Sequence, residues 1–209
     1  MVVYEGSGLT RIWVVLCVLS GVGACSAAIV GWGLGIDGAV RVYSGHPAMV
    51  PSTAICFGLF SLAILIRFAG RHTHLFWLPL ACALALIFGN NILHFSGIRG
   101  GSDVFLAPAL REPDRMSSIT TIGFLLAAAI LVWCDRSRDI AAGAAIFGLS
   151  TMIAVVFADP LYVSDAVAMF RSMSVPTAIF FALLYAALLA APDVSDTDRS
   201  GQVPPLGQA

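Results

Sequence analysis

No lysine occurs anywhere in this chain, and charge of any kind is scarce. Among 209 residues, 11 are Arg and 12 are Asp or Glu, so charged side chains make up 11%. A soluble domain carries about a quarter of its residues as charged groups, which excludes an ordinary cytosolic globule here. A formal net charge of −1 gives no footprint for nucleic-acid binding. Arg clamps anions better than Lys does, yet the complete absence of Lys reads as compositional bias more readily than as a set of anion sites. Cysteine is sparse too: Cys17, Cys25, Cys56, Cys82 and Cys134 include no CxxC pair. Four lie inside apolar runs and the last ends one, so they read as small packing residues. Catalytic signatures are missing. Gly97-Ile98-Arg99-Gly100-Gly101 lacks the strand or helix context of a phosphate cradle, and Ser96 beside His94 has no evident buried third partner. His72 and His74 form an HxH, which is an incomplete zinc shell. The expectation is a non-enzymatic protein with no cofactor and no metal.

What is abundant is apolar sequence. Hydrophobic residues reach 59% and mean hydropathy is +0.92. A spanning helix needs about 20 mostly apolar residues. Six stretches qualify: Ile12–Ile36, Val50–Phe68, Leu75–Leu93, Ser117–Cys134, Ile140–Ala158 and Val175–Ala191. Val22-Gly23-Ala24-Cys25 loosely resembles a lipoprotein cleavage box. The apolar run continues through Ile29 and Trp32, so the first stretch is expected to stay as a span. Arg67, Arg71, Arg136 and Arg138 crowd the tight connections, while Arg41, Arg99, Arg111, Arg115 and Arg171 are spread over longer ones among acids. Arg density near span ends marks the cytoplasmic side, which puts both termini in the cytoplasm.

One phrase is written three times, each copy opening an apolar run: MVPSTAICF at Met49, MSSITTIGF at Met116 and MSVPTAIFF at Met173. The shared positions are Met49, Thr53 and Phe57, then Met116, Thr120 and Phe124, then Met173, Thr177 and Phe181. Residues four apart share a helix face, so each trio forms a stripe, read as a packing seam among three equivalent helices. A three-fold ligand pocket at the outer face is the functional alternative. Pro51 and Pro176 fall in a first turn, where a missing N–H costs least, and Ser117 and Ser174 are natural N-caps. An internal repeat sets architecture before local detail does. The expected fold is all-α: a polytopic bundle of six transmembrane helices built from three parallel helix hairpins, about 12–69, 75–134 and 140–191. Residues 1–11 and the Asp-, Ser- and Pro-rich 192–209 are then cytoplasmic ends, the latter expected to be disordered.

A second recurrence precedes each phrase. Asp37, Asp103 and Asp165 each introduce a short apolar stretch, as the cap of a segment lying flat at the interface or as one of three carboxylates around a cation. With His46, Asn90, Asn91, His94 and Asp159, they form the outer-face polar set. Groups at span ends are expected to be solvated by water and headgroups; a site for metal, haem or pH sensing is the alternative.

The stretch Leu34-Gly35-Ile36-Asp37 … Tyr43 … Pro47 through Phe57 … Leu62-Ala63 resembles the multi-span N-terminal membrane regions of bacterial sensor histidine kinases and diguanylate cyclases. Those carry a similar Asp, then a Met-Ser-Pro-x-Thr-Ala-x-x-Phe phrase entering a Leu/Ala-rich helix. The resemblance covers most of residues 12–191 and implies a sensory or interaction module of the bacterial inner membrane with a cytoplasmic C-terminus. No phospho-acceptor, ATP-binding or cyclase segment follows Ala191, so signalling is expected to run through a membrane-protein partner or a homo-oligomer, with the lipid bilayer as surroundings. A small transporter or channel component, with Asn90, Asn91 and Asp159 along a wet path, is the competing class. A membrane-embedded cofactor protein or enzyme comes third.

Overall fold

The structure, a computed structural model, describes residues 9–42, 47–68, 73–97, 103–107, 114–158 and 173–192. It is all-helical, with no strand among the described residues. The helices are α1 (Leu9–Ala28, ending in a π turn at Ile29–Gly33), α2 (Pro51–Phe68), α3 (Trp77–Phe95), the single turn α4 (Asp103–Leu106), α5 (Ser118–Trp133), α6 (Arg138–Ala158) and α7 (Val175–Ala190). Short 3-10 turns at Asp37–Ala39 and Thr73–Phe76 complete the described elements.

Among the described residues, four helical stretches are long and apolar enough to cross a membrane: Ile12–Gly33, Pro51–Phe68, His74–Phe95 and Arg138–Phe157. The other two apolar helices, α5 and α7, have 16 residues each. At 1.5 Å per residue they are ~24 Å long against a hydrocarbon core of ~30 Å. By length, then, the structure carries four spans where the sequence leads one to expect six. The shortfall arises because Ser117 stands outside α5 as its cap, α5 stops at Trp133, and α7 stops at Ala190.

Helices α2, α5 and α7 touch one another, and α1, α3 and α6 lie outside them. Each outer helix packs against two inner ones: α1 on α2 and α7, α3 on α2 and α5, α6 on α5 and α7. Burial follows this division. The α2 span is 61% buried, whereas those of α1, α3 and α6 are 28–33% buried. The inner helices run in the same sense. Their phrase positions meet at one level through Phe57, Phe124 and Phe181. Their C-terminal ends also converge, because Arg67 of α2 reaches Asp135 just past α5. A cavity of about 50 Å³ there is lined by Phe68, Ile130, Cys134, Leu188 and Ala191.

Between apolar helices in lipid there is little hydrophobic drive, so close packing must hold them. Two glycines permit it. A Cβ on Gly123 would stand 2.8 Å from the Phe181 ring, and one on Gly148 2.7 Å from the Tyr185 ring. The hydroxyl of Tyr185 donates to the Gly123 carbonyl at 2.8 Å, tying α7 to α5.

Candidate functional site

Each inner helix begins with the same backbone event. The carbonyls of Val50, Ser117 and Ser174 accept from Ala54, Thr121 and Ala178, which makes all three residues N-caps. Ser117 and Ser174 then accept the Thr120 and Thr177 amides at 3.1 and 3.3 Å, and their hydroxyls meet the Thr hydroxyls at 2.9 and 2.7 Å. Val50 has no side-chain acceptor to do this. An orphan amide at a buried helix start costs free energy unless something accepts it.

The acceptor comes from 51 residues further along the chain. Asp103, 0% exposed, accepts the Ser52 amide at 2.6 Å and the Ser52 hydroxyl at 2.7 Å. Asn90 of α3 donates to the same carboxylate at 3.1 Å and to Ser52 Oγ at 3.2 Å. Four polar groups from α2, α3 and α4 thus close on each other in a buried cluster. Burial raises the carboxyl above its ordinary pKa, opposed by the hydrogen bonds from Ser52 and Asn90. The cap that α2 lacks locally is supplied by a distant segment.

A second buried cluster lies on the connection into α2. One guanidinium nitrogen of Arg41 bonds both oxygens of Asp114, at 2.7 and 2.6 Å. Asp114 also accepts the Ala48 amide at 3.0 Å. Nearby, the Trp32 indole donates to the Met49 carbonyl at 2.9 Å, and the Met49 amide to the Val40 carbonyl at 2.8 Å. The Met49 backbone is therefore held from both sides.

The phrase residues lie in matching surroundings. Met49, Met116 and Met173, Thr53, Thr120 and Thr177, and Phe57, Phe124 and Phe181 are all buried. Ile55, Ile122 and Ile179, two residues before each Phe, are exposed in all three helices. The Phe rings form a closed triangle with centroid separations of 4.9, 4.7 and 4.6 Å. The line along which the inner helices meet is therefore filled by carbon at this level.

The outer polar set divides. Asn90 and Asp103 come together, but both are buried, which corrects the expectation of solvated span-end groups: each satisfies the other, and Ser52, away from water. The Asp103 carboxylate also serves another helix than its own: its oxygens cap α2. Asn91 turns elsewhere, to the Ile87 carbonyl at 2.8 Å and Thr121 Oγ1 at 3.3 Å. His94 is exposed and accepts from Arg115 at 2.8 Å. Asp37 opens an exposed 3-10 turn, so it does not share the environment of Asp103. His46, Asp159 and Asp165 lie outside the described residues. Among the described residues no three His, Cys, Asp or Glu side chains gather as metal ligands.

Ser52, Asp114 and Arg41 did not stand out in the sequence. One signal was available for Ser52: the first phrase has Val where the other two have Ser, so its cap had to come from elsewhere. Compared with protein-family models, with curated proteins and with solved structures, the chain matches none.

Proposed function

We propose that this chain is a non-enzymatic sensory or interaction module of a membrane, with six spans formed by three parallel hairpins around an approximate three-fold axis. The short α5 and α7 count as spans in this reading because they occupy the same position as α2 and carry the same phrase at the same end. Bilayers thin locally around a short span at modest cost. Arg density puts the termini and the α2, α5 and α7 C-terminal ends in the cytoplasm of a bacterial cell. The phrase ends then face outward.

The observation that carries the reading is the Phe57–Phe124–Phe181 triangle. A transporter or channel using the axis needs a wet path; three mutually contacting rings favour a dry seam instead. The polar groups that remain are spent on joining segments: Asp103 to α2, Asn90 to Asp103, Arg41 to Asp114. An outer rim cross-linked in this way moves as a unit. That is what a module passing a change at one face to a partner at the other requires.

The test is reconstitution. Proteoliposomes should show no solute or ion flux above empty vesicles. Reporter fusions should put residues 1 and 209 on one side and the loop before each phrase on the other. Saturable flux would replace this reading with transport, and termini on opposite sides would remove the three parallel hairpins.

A further inference from the structure

The short turn α4 has a base and a tip of opposite character. Asp103 is fully buried against the first turn of α2, and the turn closes through the Ala107 amide donating to the Asp103 carbonyl at 2.8 Å. Its other side chains, Val104, Phe105 and Leu106, are exposed, Phe105 at 85%. An aromatic ring left open on so short a turn is costly in water. It is well placed at the boundary between headgroups and acyl chains, where apolar side chains of surface helices settle.

Depth supports that occupant. Asp103 accepts from Ser52, the second residue of the apolar span Pro51–Phe68. The turn therefore lies level with the end of a membrane-crossing helix. More apolar surface lies open at the same end of α3. Ile92 and Phe95, on the last turn of the candidate span His74–Phe95, are exposed at 63% and 87%, and the same helix reaches Asp103 through Asn90.

We propose that α4 is a lipid-inserted lever: Val104, Phe105 and Leu106 take the acyl-chain boundary as their partner, and Asp103 transmits their position to the start of α2. This rests on the membrane-module reading and names the partner of its outer rim. The coupling follows from the geometry. When the tip moves, the carboxylate moves with it, and the Ser52 amide and hydroxyl lose their acceptor. No other side chain at the α2 N-cap position replaces it, since that residue is Val50.

The experiment uses the full chain in vesicles. The difference in emission between Phe105→Trp and the parent protein, which has its own Trp residues, should be blue-shifted relative to water. It should be quenched several-fold more by lipids brominated high on the acyl chain than by lipids brominated near its end. Hydrogen exchange is then compared at the first turn of α2. Phe105→Ser should speed exchange at Ser52 by about ten-fold, while amides near Ile64 keep the parent rate. A difference signal from the introduced indole that is quenched only from water overturns the lipid partner. A lipid-quenched signal with unchanged exchange overturns the lever. Phe105→Leu, which keeps an apolar tip, should match the parent in exchange; if it exchanges as fast as the Ser variant, lipid insertion is not the cause. Neither arm measures flux or topology, so the membrane-module reading stands or falls separately.

Discussion

Replacing Asp103 by Ala should cost about 2 kcal/mol of stability. About 1 kcal/mol is the loss of a helix N-cap. The remainder comes from the Asn90 amide and Ser52 hydroxyl, which lose a buried acceptor they share, discounted for no longer burying a carboxylate. Asp103→Asn should cost about half as much or less, because its carbonyl oxygen can still accept the Ser52 amide. The sharper test puts the local cap back. Val50→Ser copies Ser117 and Ser174, which accept the Thr120 and Thr177 amides, and would offer an acceptor to Thr53. Alone it loses the burial of Val50, worth about 1 kcal/mol or more. In the Asp103→Ala background it should cost about 1 kcal/mol less, because the cap is then needed. The assay is a double-mutant cycle on unfolding by denaturing detergent in mixed micelles. An Asp103→Ala protein as stable as the parent, or a Val50→Ser cost identical in both backgrounds, would refute the reasoning.

Three further outcomes are expected. The pKa of Asp103 lies above its ordinary value of 3.8, chiefly through burial, so the folded protein binds this proton more readily than the unfolded chain does. The cost of the ionised group is therefore constant above the folded pKa and is relieved as pH falls through it toward the unfolded value; stability of the parent relative to Asp103→Asn should rise on acidification, and a fall would reverse the sign. Asp114→Ala takes from the buried Arg41 the carboxylate it bonds through both oxygens, and should cost about 3–5 kcal/mol, as breaking a buried pair does; a loss under about 1 kcal/mol in thermal unfolding would mean the pair is effectively hydrated. Gly148→Ala should destabilise by about 1–3 kcal/mol through overpacking on the Tyr185 ring, whereas Gly143→Ala on the same helix meets nothing within 4 Å and should gain up to about 1 kcal/mol. Equal shifts in the melting temperature of the two variants would show that the α6–α7 contact is looser than described.

The sequence by itself determined which stretches are helical and where the inner ones begin. A run of apolar residues between Arg- or Asp-bearing breaks can satisfy its backbone only internally in lipid. A Ser one residue ahead of such a run caps it by local geometry, as at Ser117 and Ser174. The burial of Met49, Thr53 and Phe57 and their counterparts was legible in the same way, because positions four apart must share a face. Span length was less legible. Hydropathy does not distinguish a capping residue from a helical one, so α5 and α7 read slightly longer than they are.

Tertiary structure alone decided which polar residues belong together. Asp37 and Asp103 open similar phrases, yet one ends exposed and the other buried under Ser52. Asn90 and Asn91 are neighbours in the chain, yet Asn90 ties α3 to α2 and α4 whereas Asn91 ties it to α5. Pairings such as Asp103 with Ser52, or Arg41 with Asp114, link residues far apart along the chain. No local pattern encodes them, because each depends on where a second helix arrives. The missing cap at Val50 shows the boundary between the two: sequence registers that an acceptor is absent, and only the packed bundle says which carboxylate takes its place.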